Sequence, residues 1–303
     1  GASGSPFSVD GEPSAITSGD FDGDGDLDLA VANASTFNVS VLLNELDEPS
    51  GVFSKASGSP FSVDGIPSSI IAGDLDGDGD LDLAVANAST LDVTVLLNDG
   101  FGDFVAVGPF PVGGDPSSIT SGDLDGDGDL DLATANALTL NVSVLLNDGF
   151  GDFVDGGSFN VAGRSSSITS GDLDGDGDLD LAVANASTLD VTVLLNDGGG
   201  DFVSALGSPF NVDGIPSSIT SGDLDGDGDL DLAGANASTL DVTVLLNELD
   251  EPSGVFVGAS GSPFSVDGEP SAITSGDLDG DGDLDLAVAN ASTLNVSILS
   301  NGP

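Results

Sequence analysis

The chain has 303 residues, with 53 Asp and Glu against 2 Lys and Arg, and a formal net charge of -51. A field of that sign repels phosphate backbones and anionic headgroups, so nucleic acid and membrane surfaces are poor partners. Hydrophobic residues at 39% argue against disorder, the absence of Cys excludes disulfides, and no apolar run approaches the roughly 20 residues of a membrane helix.

The first strand-like segment is Gly4-Ser5-Pro6-Phe7-Ser8-Val9, which matches the second half of a strand found later in the chain. Strand a follows, short and small-sided, from Ser14 to Ser18. An acidic loop, Asp20-Phe21-Asp22-Gly23-Asp24-Gly25-Asp26-Leu27-Asp28, leads into strand b (Leu27 to Asn33), where Leu27, Leu29 and Val31 alternate with Asp28, Ala30 and Ala32. Asn33-Ala34-Ser35-Thr36 reads as a turn. Strand c (Asn38 to Asn44) alternates Val39, Val41 and Leu43 with Ser40 and Leu42, and a looser strand d runs from Val52 through Phe61. Period-2 alternation and β-branched residues favour strand over helix.

The acidic loop recurs at Asp74, Asp123, Asp172, Asp223 and Asp277, at spacings of 54, 49, 49, 51 and 54 residues. A period of this size marks a propeller or repeat array, in which no single small sheet can bury its own faces. The expected fold is all-β, a β-propeller of six four-stranded repeats, with an open or strand-exchanged array of the same blades as the alternative. Repeat boundaries fall near 10–64, 65–113, 114–162, 163–213, 214–267 and 268–303, the last completed by 1–9. Phe53, Phe104, Phe153, Phe202 and Phe256 open strand d, Phe61, Phe110, Phe159, Phe210 and Phe264 follow within it, and all are expected in the core. Ala2 to Asp20 is identical to Ala259 to Asp277, and Asn44 to Phe53 to Asn247 to Phe256. Two arrangements follow. The N-terminal segment closes a ring on the last repeat, or that strand comes from a neighbouring subunit and the chains form head-to-tail filaments.

Hard cations take several oxygen ligands at about 2.3–2.6 Å, and a short loop supplies them from alternate residues around a sharp turn. Asp20, Asp22, Asp24 and Asp28 at loop positions 1, 3, 5 and 9 suit this, with the carbonyl of Asp26 at position 7 and Gly25 permitting the turn. The other copies are Asp74, Asp76, Asp78, Asp80 and Asp82; Asp123, Asp125, Asp127, Asp129 and Asp131; Asp172, Asp174, Asp176, Asp178 and Asp180; Asp223, Asp225, Asp227, Asp229 and Asp231; and Asp277, Asp279, Asp281, Asp283 and Asp285. Calcium is the expected ion, one per repeat and about six in all. Magnesium prefers to keep its waters, and the chain has no Cys, His or Met for softer metals.

The loop, the Leu-Asp-Leu-Ala-Val-Ala-Asn strand after it and the Val-Leu-Leu-Asn-Asp-Gly hairpin (Val95 to Gly100) resemble FG-GAP/VCBS repeats. These are the calcium-binding blades of integrin α-subunit propellers and of many microbial surface proteins. The resemblance covers essentially the whole chain and implies calcium in the a–b loop, on the same five positions. Integrin propellers have seven blades, with calcium in only some. Blade number and integrin-like recognition therefore do not carry over. An EF-hand is excluded, because loop position 12 holds Val31, Val85, Thr134, Val183, Gly234 or Val288 instead of Glu.

Eight N-x-S sequons, at Asn33, Asn38, Asn87, Asn141, Asn185, Asn236, Asn290 and Asn295, flank the b–c turn and are candidates for glycosylation. The hairpins Asn98 to Asp103 and Asn147 to Asp152 read as tight turns rather than further ion sites. Lys55 and Arg164 have no evident role. With no His, Cys, Tyr or Trp, no enzymatic activity is expected. Cytosolic calcium is too scarce for sites of extracellular-module affinity, which places the protein outside the cell or on its surface. The absence of Met and of a signal peptide fits a mature or excerpted chain. The expected function is a calcium-stabilised structural or adhesive protein, glycosylated and self-assembling into filaments. The alternative is a carbohydrate- or protein-binding module. The partners expected are copies of itself and glycans, with no nucleic acid and no membrane insertion.

Overall fold

The computed structural model describes residues 6–45, 52–247 and 254–302. Among these there is no helix. The strands form six antiparallel sheets, each running a, b, c and then d where d is present. The fold class is all-β, with one propeller-type blade per repeat, as the periodicity predicts.

In the first blade, strand a is Pro13–Gly19, b is Asp28–Asn33 and c is Asn38–Glu45. Register pairs Gly19 with Asp28 across a and b, and Asn33 with Asn38 across b and c. Strand b thus begins one residue later than expected, and Leu27 belongs to the loop. The b–c turn is closed by the Phe37 N–H donating to the Asn33 carbonyl at 3.0 Å. Phe37 takes φ 56 there, and Leu91, Leu140, Leu189, Leu240 and Leu294 repeat that left-handed conformation.

Strand d differs between blades. It is continuous in the second (Phe104–Pro111) and third (Phe153–Asn160), but split in the first into Val52–Lys55 and Phe61–Ser62. The split blades carry two more residues between their two Phe positions. Those residues loop out as a turn, in which the Ser59 N–H donates to the Ala56 carbonyl at 3.1 Å.

Two compact units divide the chain. The first contains the blades whose strand a begins at Pro13, Pro67 and Pro116; the second contains those beginning at Ser165, Pro216 and Pro270. Within the first unit, small Ala84 and Ala86 of one blade face Ile119, Leu132 and Leu145 of the next, in one buried cluster with Phe110 and Phe153. Within the second, Ala182 and Ala184 face Ile219, Leu232 and Leu245 in the same way. Alternating small and large faces lets neighbouring sheets approach closely with few voids. The Phe pairs complete these layers, Phe110–Phe153 and Phe210–Phe256 meeting edge to face at 5.2 and 5.4 Å.

The last blade has three strands, Pro270–Gly276, Asp285–Asn290 and Asn295–Leu299. Residues 1–5 of the expected fourth lie outside the described residues. Pro6–Val9 form no strand, and Phe7 instead meets Phe53 of the first blade at 5.2 Å.

Candidate metal centres

Each acidic loop is wound around its first carboxylate. Asp20 accepts the Gly23 N–H at 2.8 Å through Oδ1 and the Gly25 N–H at 3.0 Å through Oδ2, and Asp24 Oδ1 accepts the Asp26 N–H at 2.9 Å. The chain turns this tightly because Gly23 and Gly25 take φ 74 and 94. A Cβ on Gly25 would meet nothing within 4 Å, so backbone conformation rather than space demands glycine there.

The ninth residue ties the loop to the sheet. Asp28 is fully buried, accepting the Phe21 N–H at 2.8 Å and the strand c Asn44 N–H at 2.7 Å. Asp82, Asp131, Asp180, Asp231 and Asp285 are fully buried too, and Asp180 holds Leu173 and Asn196 by the same two bonds. Phe21, Leu75, Leu124 and Leu173 at loop position 2 are fully buried and anchor the loops in the core.

Carboxylates converge on the hollow of each loop. Asp20, Asp22 and Asp28 each place an oxygen within 4.8 Å of the others, as do Asp172, Asp174 and Asp180, and Asp223, Asp225 and Asp231. In the second and third loops the trios are Asp74, Asp76 and Asp78, and Asp123, Asp125 and Asp127. The seventh residue turns its side chain elsewhere. Asp80, Asp129 and Asp178 lie so close to Gly100, Gly149 and Gly198 of the c–d hairpins that a Cβ there would collide with the carboxylate. At these three positions the backbone carbonyl is what the seventh residue could offer a cation in its own loop.

The electrostatics of these clusters are unfavourable as they stand. Burial pushes the carboxyls of Asp82 and Asp231 up to about 6 and that of Asp180 up to about 7, from an ordinary 3.8, with neighbouring Asp charges adding to the rise. Asp76, Asp174 and Asp225 are raised too, by burial first and then by the adjacent Asp. Lys55 is engaged elsewhere, bonding Asp10 at 2.6 Å and holding its carboxyl below the usual range. A donor set of oxygens only, crowded and without a cationic side chain, fits a hard divalent cation.

The sequence profile of the FG-GAP-like repeat matches residues 20–85, 74–134, 172–234 and 223–288, most of the chain. The chain belongs to the FG-GAP-like repeat family. No curated protein matches it significantly in sequence. Solved structures share the fold at low identity. The periplasmic gluconolactonase PpgL of Pseudomonas aeruginosa is 17% identical with a TM-score of 0.59, covering 95% of this chain and 73% of that one. BBS1N, solved in complex with ARL6DN, is 13% identical with a TM-score of 0.63, covering 96% and 79%. A protein from Lactobacillus plantarum is 15% identical with a TM-score of 0.60, covering 95% and 84%. The expectation of no enzymatic activity is corrected by the first of these. The fold carries catalysis in a gluconolactonase, so neither the all-β architecture nor the residue composition excludes it.

The FG-GAP-like blades also use two sets of Asn that the sequence reading assigned otherwise. At the end of strand c, Asn98 donates its Nδ2 to the Leu81 carbonyl of its own loop at 3.0 Å and to the Phe21 carbonyl of the preceding loop at 2.9 Å. Asn147 (to Leu130 and Leu75) and Asn247 (to Leu230 and Leu173) do the same. Consecutive loops are therefore linked by one side chain. Its only signal in the sequence is the Asn that closes every Val-Leu-Leu-Asn run.

The second set is the sequons. Asn87 is fully buried and donates its Nδ2 to Asp92 and to Thr94, both at 2.9 Å; Asn33, Asn185, Asn236 and Asn290 are buried and donate to the matching pair. A glycan on that nitrogen replaces one of its two hydrogens, and so breaks one of the two bonds and has to fit beside a buried amide, which the folded blade does not accommodate at these five. Asn38 and Asn141 are half-buried and Asn295 is exposed. The tight-turn reading of the hairpins agrees with Asp99 Oδ1 accepting the Phe101 N–H at 3.0 Å and with Asp148 Oδ1 accepting the Phe150 N–H at 3.0 Å.

Proposed function

We propose that this chain is a calcium-loaded structural repeat protein that works outside the cell or on its surface. The observation that carries the reading is the convergence of three carboxylates, at least two of them buried or half-buried, in each of the first five loops, with no cationic side chain among them. A bound calcium ion supplies positive charge and neutralises this repulsion. The chain's own residues do the rest: the first Asp winds the loop, the ninth, at the start of strand b, fastens the loop's second residue and strand c, and the strand c Asn fastens it to the preceding loop. Blade stacking is thereby linked to loop order.

Extracellular calcium modules bind at roughly 0.1–1 mM. Ions at ten times that constant contribute about 1.4 kcal/mol per site, and six independent sites on the order of 8 kcal/mol. That is comparable to a typical domain's whole net stability of about 5–15 kcal/mol. Any glycans fall on Asn38, Asn141 and Asn295. The test is thermal unfolding with calcium, magnesium or chelator. Calcium should raise the melting temperature by well over ten degrees and magnesium by less, and equal melting in all three would refute the reading.

A second reading, a carbohydrate- or protein-binding module, is supported by Phe101 and Phe150, which stand 77% and 79% exposed on their hairpins. A glycan array probed with the calcium-loaded chain and with Phe101→Ala and Phe150→Ala tests it; binding indifferent to both variants counts against it.

A further inference from the structure

Neighbouring acidic loops share one side chain and one hairpin. Asn98, buried at the end of the second strand c, donates its backbone N–H to Asp82 Oδ1 at 2.7 Å, the ninth carboxylate of the second loop. Its Nδ2 donates to the Leu81 carbonyl of that loop at 3.0 Å and to the Phe21 carbonyl of the first loop at 2.9 Å. Phe21 in turn donates its N–H to Asp28 Oδ2 at 2.8 Å, the ninth carboxylate of the first loop. Asp28 and Asp82, candidate ligands in separate loops, are therefore joined through Phe21 and Asn98 by an unbroken run of hydrogen bonds.

A second connection runs beside the first. Asn98 Oδ1 accepts the Gly102 N–H at 3.2 Å and so fixes the c–d hairpin. That hairpin touches both loops. A Cβ on Gly100 would collide with the Asp80 carboxylate of the second loop, and the Gly100 carbonyl stands 3.6 Å from where a Cβ on Gly23 of the first loop would lie.

The arrangement repeats one blade on. Asn147 donates its N–H to Asp131 at 2.8 Å and its Nδ2 to the Leu75 carbonyl at 2.8 Å, and Leu75 donates to Asp82 at 2.8 Å. A cavity of about 190 Å³ between the second and third loops is bordered by Asp74, Gly77, Asp129, Asn147 and Gly149. In the second unit, Asn247 joins Asp231 to the Leu173 carbonyl in the same way, and Leu173 donates to Asp180.

We propose that the acidic loops bind calcium as coupled neighbours, and that Asn98, Asn147 and Asn247 are the positioning residues that carry the coupling. This rests on the calcium reading above and adds to it: occupancy of one loop sets the affinity of the next, equally in both directions. Each loop has two states. When it is wound, its first Asp holds two glycine N–H groups, as Asp20 holds Gly23 and Gly25. When it is slack, its crowded carboxylates repel one another less. The ion selects the wound state. A slack first loop withdraws the Phe21 carbonyl from Asn98, and a slack second loop withdraws the Asp82 carboxylate that holds Asn98 in place. An ion in either loop therefore lowers the cost of winding the other. One buried hydrogen bond kept or lost changes the neighbour's affinity about two- to tenfold. Repulsion between bound ions acts in the opposite sense, but salt screens it over about 8 Å at physiological ionic strength. The hydrogen-bonded path is not screened, so the coupling is positive there and weakens at low salt.

The test is a double-mutant cycle on the full 303-residue chain in about 0.15 M salt. Asp76→Asn with Asp78→Asn disables the second loop, and Asn98→Ala breaks the link. Calcium is titrated into resin-stripped protein under conditions where circular dichroism shows each variant folded. Binding at the first loop is read from the NMR shift of the Gly25 amide, which Asp20 holds at 3.0 Å. With Asn98 present, disabling the second loop should weaken first-loop binding by the factor given above. In the Asn98→Ala background the same change should leave first-loop binding as it was. The parent and the loop-disabled chain alone decide whether coupling exists, and the Asn98→Ala pair decides whether Asn98 carries it. First-loop affinity indifferent to the second loop, or higher without it, would overturn the proposal, as would an equal effect in the Asn98→Ala background. No calcium at any loop would refute the calcium reading itself, and the coupling with it.

Discussion

Stripped of divalent ions, this protein should become more stable on acidification, the reverse of its calcium-loaded form. Asp180, Asp82 and Asp231 are fully buried carboxyls held at about 7, 6 and 6 in the folded chain, against an ordinary 3.8 once exposed. Folded values above unfolded ones mean that the folded state binds protons more tightly. The stability they confer is complete below about 3.8 and is lost as pH rises through 6 to 7. At about 1.4 kcal/mol per pH unit, lowering the pH from 8 to 5 stabilises the metal-free fold by on the order of 3 kcal/mol through Asp180 and about 1 kcal/mol each through Asp82 and Asp231. With calcium bound the sign reverses, because protons compete with the metal for the same oxygens. Urea melts of resin-stripped and calcium-saturated protein across that range give both curves. A metal-free stability that falls steadily from pH 8 to 5 would refute the reasoning.

Three substitutions probe other parts of the account. Gly177→Ala, at φ 100 with open space around it, should cost on the order of 1–2 kcal/mol through backbone strain alone and weaken calcium binding at that loop by calorimetry. Asn147→Ala leaves the Leu75 and Leu130 carbonyls without their donor and should cost about 1–3 kcal/mol; no change in denaturant midpoint would show that the loop-to-loop link carries no stability. Peptide mapping of protein from its natural source should find any glycan on Asn38, Asn141 or Asn295, and one on Asn87 or Asn185 would contradict the buried amide pairs.

Blade architecture was legible because it is written locally. Asp-Leu-Ala-Val-Ala-Asn sets the alternation of strand b, and the glycines at loop positions 4 and 6 announce positive φ before any coordinates are seen. What escaped the sequence reading is tertiary. Asn98 reaches a carbonyl 77 residues away, and nothing in its neighbourhood distinguishes it from a turn-forming Asn. The sequons misled for a related reason: three residues define the motif, but cross-strand packing against Thr94 or Ser40 decides whether the amide is free. Strand d was harder still, since two added residues suffice to split it in some blades and not in others. Catalysis was set aside on residue types alone, and the fold shared with a gluconolactonase shows that such a test is too weak.

The central claim is that divalent ions hold the six acidic loops and, through them, the blades. Isothermal calorimetry of the resin-stripped chain with calcium tests it most directly, followed by melting of the same samples. The account predicts about six ions per chain, one per loop, and a melting temperature that rises as they bind. No heat of binding at millimolar calcium, with unchanged melting, would contradict it.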